Sequence, residues 1–221
     1  MSVLEFGRKA SISGKNSSLV ILIHGYGADG KDLLGLADSL GAHMPDTVFI
    51  APDAPHKCQM NPMGFEWFPI PWIDGSSEVD AQVVIEQVLK TTNIFIDDMM
   101  VAEGVGPKNT ILLGFSQGTM LSLHIAPRRN EPLAGVVGFS GRLLEPESLI
   151  DEVKSRLPIL LIHGDKDDVV PFGSLADAAN NLTANGFTVY THVAEGVGHG
   201  ISPDGLGTAL QFMENMLTSK R

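Results

Sequence analysis

The chain has 221 residues, with 15 Lys or Arg against 26 Asp or Glu, a formal charge of −11; 43 % of residues are hydrophobic and 19 % charged. That length and apolar content suit a single domain over residues 1–221 with a well-filled core, and exclude a largely disordered chain. A net negative surface repels phosphates, which argues against nucleic acid as a partner and against a general attraction to anionic membrane.

Short apolar runs alternate with longer amphipathic ones. Residues 19–23 predict a strand, 31–42 a helix and 48–51 a second strand. Residues 52–75 hold five prolines with Phe65, Trp67, Phe68 and Trp72, show no clean period, and read as a long ordered loop. Its aromatics, with Met60 and Met63, either pack on the core or form the apolar wall of a ligand pocket. A helix follows over 77–101, where Val84, Val88, Phe95 and Met99 share one face and Ser77 pairs with Asp80 as a cap. Then come strand 111–115, helix 117–127, strands 133–139 and 159–162, helix 172–185, strand 187–193 and helix 203–217. Several strands are continuously apolar, as strands covered on both faces are. The alternation predicts an α/β fold: a mostly parallel central sheet with helices on both faces. Ligands in such sheets bind beyond the carboxyl ends of the strands.

One cysteine, Cys58, cannot close an internal disulfide, which points to a reducing, cytoplasmic compartment. No apolar run follows Arg8 and Lys9 closely enough for a secretory signal, and 19–23 is too short to span a bilayer, so no stable membrane insertion is expected. No Cys/His cluster has zinc-ligand spacing.

The sharpest chemical signal is Gly114-Phe115-Ser116-Gln117-Gly118, between an apolar strand and a helix-compatible segment. Glycines on either side let the chain turn sharply and raise the serine hydroxyl above the sheet. A serine needs a base beside it. In this architecture the catalytic histidine comes last in chain order, and His199, in the glycine-rich segment after the last strand, fits. His192 competes from inside a strand pattern; His24 and His163 end apolar strands; His43, His56 and His124 have no catalytic context. The carboxylate partner lies among Asp165, Asp167 and Asp168, and spacing does not choose between them. Backbone donors for an oxyanion come from Gln117 and from the glycine-rich segment 23–30, where Asp29 also suits a helix N-cap.

At these residues the sequence resembles the phospholipase/carboxylesterase group of α/β-hydrolases, which includes the acyl-protein thioesterases. The matching pieces are His24-Gly25-Tyr26-Gly27-Ala28-Asp29-Gly30, Trp67-Phe68, the serine elbow, Phe139-Ser140-Gly141, His163-Gly164-Asp165-Lys166-Asp167 with Val170-Pro171, and Gly198-His199. The resemblance implies Ser116 as nucleophile, His199 as base, Asp167 as its partner, and the amides of Tyr26 and Gln117 as the oxyanion hole. It implies hydrolysis of carboxylic esters, with lysophospholipids or thioester-linked acyl chains as variants, and no metal or cofactor. Met63, Phe65, Trp67, Phe68 and Trp72 are the expected substrate-binding residues. The expected partner is a small-molecule or lipid ester, and the chain is expected to be a monomer or homodimer. A lipase, lactonase or acyltransferase on the same triad, and a non-catalytic binding protein, are the rival readings.

Overall fold

The computed structural model describes residues 4–218. Its strands are β1 (Phe6–Lys9), β2 (Ser18–Ile23), β3 (Thr47–Pro52), β4 (His56–Lys57), β5 (Phe65–Glu66), β6 (Thr110–Phe115), β7 (Gly135–Phe139), β8 (Ile159–Gly164) and β9 (Val189–Ala194). Its helices are α1 (Gly30–Leu34), α2 (Leu36–His43), α3 (Pro71–Asp74), α4 (Glu78–Glu103), α5 (Gln117–Ile125), α6 (Leu149–Glu152), α7 (Gly173–Ala184) and α8 (Pro203–Thr218). Seven strands form the main sheet in the order β1-β3-β2-β6-β7-β8-β9, parallel throughout except for β1, which pairs antiparallel with β3.

The alternation of side chains along a strand splits the core into two layers. On β2, Leu19, Ile21 and Ile23 join Val88, Phe95 and Met99 of α4 and Leu175 and Leu182 of α7. Val20 and Leu22 face the other way, with Leu33 of α1, Leu40 of α2 and Phe212 and Met213 of α8. All five β2 side chains are fully buried, each worth roughly 1.5–3 kcal/mol of apolar transfer. That double burial makes the strand read as an unbroken apolar run.

The predicted strands and long helices all form, with ends shifted by a residue or two. The helix expected over 31–42 is interrupted at Gly35 into α1 and α2. Asp29 caps α1 in a reciprocal box with Asp32, at 3.1 and 3.2 Å. The strand expected from 133 starts at Gly135, because Leu133 and Ala134 lead into it as a bend stabilised by the Ala134 amide on Thr110. Sequence periodicity missed β1, an edge strand carrying Arg8 and Lys9 with no buried side chain. Charge on an edge strand protects its unpaired backbone and erases the apolar pattern together. It also missed β4 and β5, a two-residue hairpin pairing inside the long loop, and the one-turn helices α3 and α6.

Candidate active site

β6 delivers the chain to Ser116 in a conformation that L residues rarely adopt, φ +53° and ψ −114°. The sequence leaves no alternative path. A Cβ on Gly118 would collide with the Ile23 carbonyl of β2, and one on Gly114 with the Gly118 carbonyl, so strand, turn and helix close on one another only with glycine at both places. The Ser116 amide donates to the Phe139 carbonyl at 2.8 Å, and the Ser116 carbonyl accepts from Met120 at 3.1 Å. The surroundings therefore hold a residue whose backbone strain is on the order of 1–3 kcal/mol.

Asp167 and His199 reach the same end of the sheet from the loops after β8 and β9. Two bonds tie those loops together: Asp165 Oδ1 accepts the Gly196 amide at 2.7 Å, and the Lys166 amide donates to the Val197 carbonyl at 2.9 Å. Asp167 is buried, and its Oδ2 lies 2.8 Å from His199 Nδ1. Its Oδ1 accepts the amides of Val169 and Val170 at 3.0 and 2.9 Å. Burial pushes this carboxyl up, but the His199 bond and the two amides outweigh it and hold Asp167 below the ordinary carboxylate range. Of the three aspartates that spacing leaves open, Asp165 is a loop tie and Asp168 is exposed.

The imidazole of His199 rests against Phe115, centroids 4.9 Å apart, so it stands beside the residue preceding Ser116. Its Nδ1 is committed to Asp167, which leaves Nε2 as the proton acceptor. His192, the sequence competitor, pairs with Asp204 at 2.9 Å on the surface. His24 is buried away from this chemistry: its Nε2 accepts the Ala54 amide at 3.0 Å, so Nδ1 carries the proton and donates to the Gly25 carbonyl at 2.7 Å.

Gly25 abuts the elbow: a Cβ built there would lie 3.2 Å from Ser116 Cβ. Tyr26 is the next residue. Gln117 opens α5, and its N–H has no acceptor within the helix. The turn holding Tyr26 is gripped from outside. Gly27 donates to the Phe65 carbonyl and Phe65 to the Ala28 carbonyl, both at 2.8 Å, while Asn61 Nδ2 donates to the Gly27 carbonyl at 2.7 Å. The Tyr26 phenol is pushed up by burial and by its neighbours Cys58 and Glu66, so it stays protonated.

The expected wall of aromatics spreads over different settings. Trp67 is 0 % exposed, with its indole N–H on the His24 carbonyl at 2.9 Å, and it anchors the loop. Phe65 pairs backbone to backbone with the Tyr26 turn, and Met63 is 85 % exposed. Phe68 and Trp72 line a cleft of about 140 Å3, with Trp72 under the Arg142 guanidinium at 4.6 Å. A different cleft, of about 300 Å3, opens where Gly25 meets the elbow, lined by Leu33, Leu36, Phe115 and Ile201 with His24 and Asp32. Sequence reading did not single it out, because Leu33 and Leu36 lie inside the helix predicted over 31–42. The position of Ile201, two residues past His199, was the available signal. Among the described residues no group of three or more His, Cys, Asp or Glu could hold a metal ion, and no helix is long and apolar enough to cross a membrane.

The sequence matches the Phospholipase/Carboxylesterase family model over residues 10–217. It is 27 % identical to acyl-protein thioesterase 1 of Gibberella zeae over 223 residues, covering 94 % of each chain. It is 28 % identical to a probable carboxylesterase of Oryza sativa subsp. japonica, covering 96 % of this chain and 82 % of that one. The fold matches the crystal structure of esterase PE8 with a TM-score of 0.91 and 41 % identity, covering 96 % of this chain and 99 % of that one. A match across nearly the whole length, joined to a mostly parallel sheet flanked by helices, places this chain in the phospholipase/carboxylesterase family of α/β-hydrolases, enzymes that hydrolyse ester bonds.

Proposed function

We propose that the protein is a serine carboxylesterase working through Ser116, His199 and Asp167. The observation that carries this reading is the Asp167–His199 bond at 2.8 Å beside a serine held at φ +53°. Ser116 Oγ attacks the ester carbonyl carbon while its proton passes to His199 Nε2. Asp167 keeps the imidazole in the Nδ1–H tautomer and stabilises the imidazolium. The carbonyl oxygen becomes an oxyanion facing the main-chain amides of Tyr26 and Gln117. Both amides sit on segments fixed before substrate arrives, which is what makes such donors worth about 10²–10³ in rate apiece. The tetrahedral adduct collapses, the bond to the alcohol oxygen (or thiol sulfur) breaks, and the leaving group takes the proton from Nε2. A water then attacks the acyl-enzyme, gives its proton to Nε2, and the acid departs as Ser116 recovers its proton.

The apolar group of the ester sits in the cleft of Leu33, Leu36, Phe115 and Ile201. Its size, about 300 Å3, is at the small end for ligand sites and favours a short chain. The test is a kcat/KM series over p-nitrophenyl esters from acetate to palmitate with one acyl-thioester control, run on the wild type and on Ser116→Ala. Turnover that is highest for short acyl chains and absent in Ser116→Ala is the expected result. Undiminished turnover in Ser116→Ala overturns the assignment.

A further inference from the structure

Asp167 has a second histidine beside it. His163, on the last turn of the pleat in β8, is 2 % exposed. Its Nε2 lies 3.0 Å from the Val170 carbonyl oxygen and 3.2 Å from Asp167 Oδ2. A carbonyl oxygen only accepts, so Nε2 carries the proton and donates it to the Val170 carbonyl, with Asp167 Oδ2 alongside. The carboxylate accepts three hydrogen bonds, from the Val169 and Val170 amides on Oδ1 and from His199 on Oδ2, and His163 lies against the Oδ2 side. The His163 ring is itself confined, with Phe172 edge-on at 6.1 Å.

We infer that His163 is a positioning residue for the hydrolysis, acting through Asp167. This rests on the triad proposed above. The His163 N–H holds the Val170 carbonyl, and Val170 supplies one of the amides on Oδ1, so a single N–H braces the loop that binds the carboxylate. Catalytic groups tolerate little misplacement: about 1 Å is enough to lose on the order of 10² in rate. Plain packing would require only a side chain of the right volume at 163. Positioning requires a donor there.

Two substitutions separate these roles. His163→Leu fills the space without a donor, and His163→Gln restores an N–H at about the reach of the ring Nε2. kcat and KM for a p-nitrophenyl ester are measured per folded molecule, with the folded fraction taken from circular dichroism. The expected result is a fall in kcat of about tenfold to a hundredfold in His163→Leu, with KM within about twofold, and recovery of most of that loss in His163→Gln. The proton between His199 Nδ1 and Asp167 Oδ2 gives a second readout: its low-field NMR resonance persists in the Gln variant and broadens or vanishes in the Leu variant. A His163→Leu protein with kcat within about twofold of wild type overturns the inference, as does a His163→Gln protein below about a tenth of wild type, which decides the matter even if the Leu variant fails to fold. Ser116→Ala keeps the two claims apart. Turnover in that variant overturns the triad itself; an inactive Ser116→Ala beside a fully active His163→Leu overturns only the positioning role.

Discussion

Gln117 Oε1 accepts the main-chain amide of Trp67 at 2.9 Å, and Gln117 Nε2 donates to the Phe68 carbonyl at 2.7 Å. The residue after Ser116 thus fastens the long loop to the elbow, and its own amide is one of the two donors proposed for the oxyanion. Gln117→Ala leaves a buried N–H and a buried carbonyl without partners, each worth about 1–3 kcal/mol. The expected outcome is a loss of roughly 2 kcal/mol or more, read as a drop of several degrees in thermal midpoint. Activity should fall about tenfold, because the amide survives but is held less firmly. An unchanged midpoint would show that the clamp contributes nothing to stability.

Strain at Ser116, the proposed nucleophile, predicts an inverse relation between activity and stability. Glycine adopts φ +53° without penalty, so Ser116→Gly relieves strain of about 1–3 kcal/mol and gives back roughly 0.5–1 through the greater freedom of the unfolded chain. Its thermal midpoint should lie a few degrees above wild type. Ser116→Ala keeps the strained backbone and should melt within about 1 kcal/mol of wild type. Both should be inactive. A glycine variant that melts below the alanine variant would mean that the turn is unstrained.

The adjacent carboxylates 167 and 168 differ in everything but charge. Asp167→Asn should lower kcat by about 10⁴ through loss of the correct histidine tautomer, and Asp168→Asn, at an exposed side chain, should stay within about twofold. Stability follows the same contrast. The folded-state value of Asp167 lies below the ordinary one, so its contribution is fully present above about pH 3.9 and is lost as pH falls through the lower folded value. Acid titrations followed by circular dichroism should show Asp167→Asn with a shallower loss of stability below pH 4 than wild type, and Asp168→Asn with an unaltered one.

What the sequence revealed and what it hid divide along physical lines. β2, β6 and β8 are buried on both faces, which leaves an apolar run that composition alone exposes. The elbow was legible because its glycines answer a steric demand visible in one short segment. Asp167 was not separable from Asp165 and Asp168 by spacing, because the choice depends on how the loops after β8 and β9 lock together, through contacts about thirty residues apart such as Asp165 with Gly196. The aromatics of residues 52–75 were ambiguous for a related reason. Trp67 has the composition of a pocket wall, but its hydrogen bonds to Gln117 Oε1 and to the His24 carbonyl draw it into the core. His163 looked like the end of a strand, and the role proposed for it rests on its bond to the Val170 carbonyl beside Asp167.

The cleft beside the elbow, the proposed seat of the acyl chain, predicts a chain-length selectivity that can be altered. Leu33 lines it from α1, so Leu33→Trp should fill much of its volume. kcat/KM for butyrate and hexanoate esters should fall by about tenfold, with acetate affected less, since excluding even one methylene is worth about 1–3 kcal/mol. An equal loss on every ester would place the acyl chain elsewhere, for instance in the Phe68 and Trp72 cleft.

His124 carries a separate pH dependence that involves no catalysis. It is buried in α5 with Nδ1 unpartnered. Burial, reinforced by the nearby Arg128 charge, pushes it down to about 4. In the unfolded chain it titrates near 6.5. The unfolded state therefore binds a proton that the folded state refuses between those values, and stability falls as pH drops from about 6.5 to about 4, with no effect above the window and no further loss below it. Between pH 7.5 and 5.0 the expected loss is on the order of 2 kcal/mol. Urea titrations at those two pH values on wild type and His124→Leu measure it. The variant should lose less stability than wild type on acidification by about that amount, and equal losses would show that His124 is not held neutral in the fold.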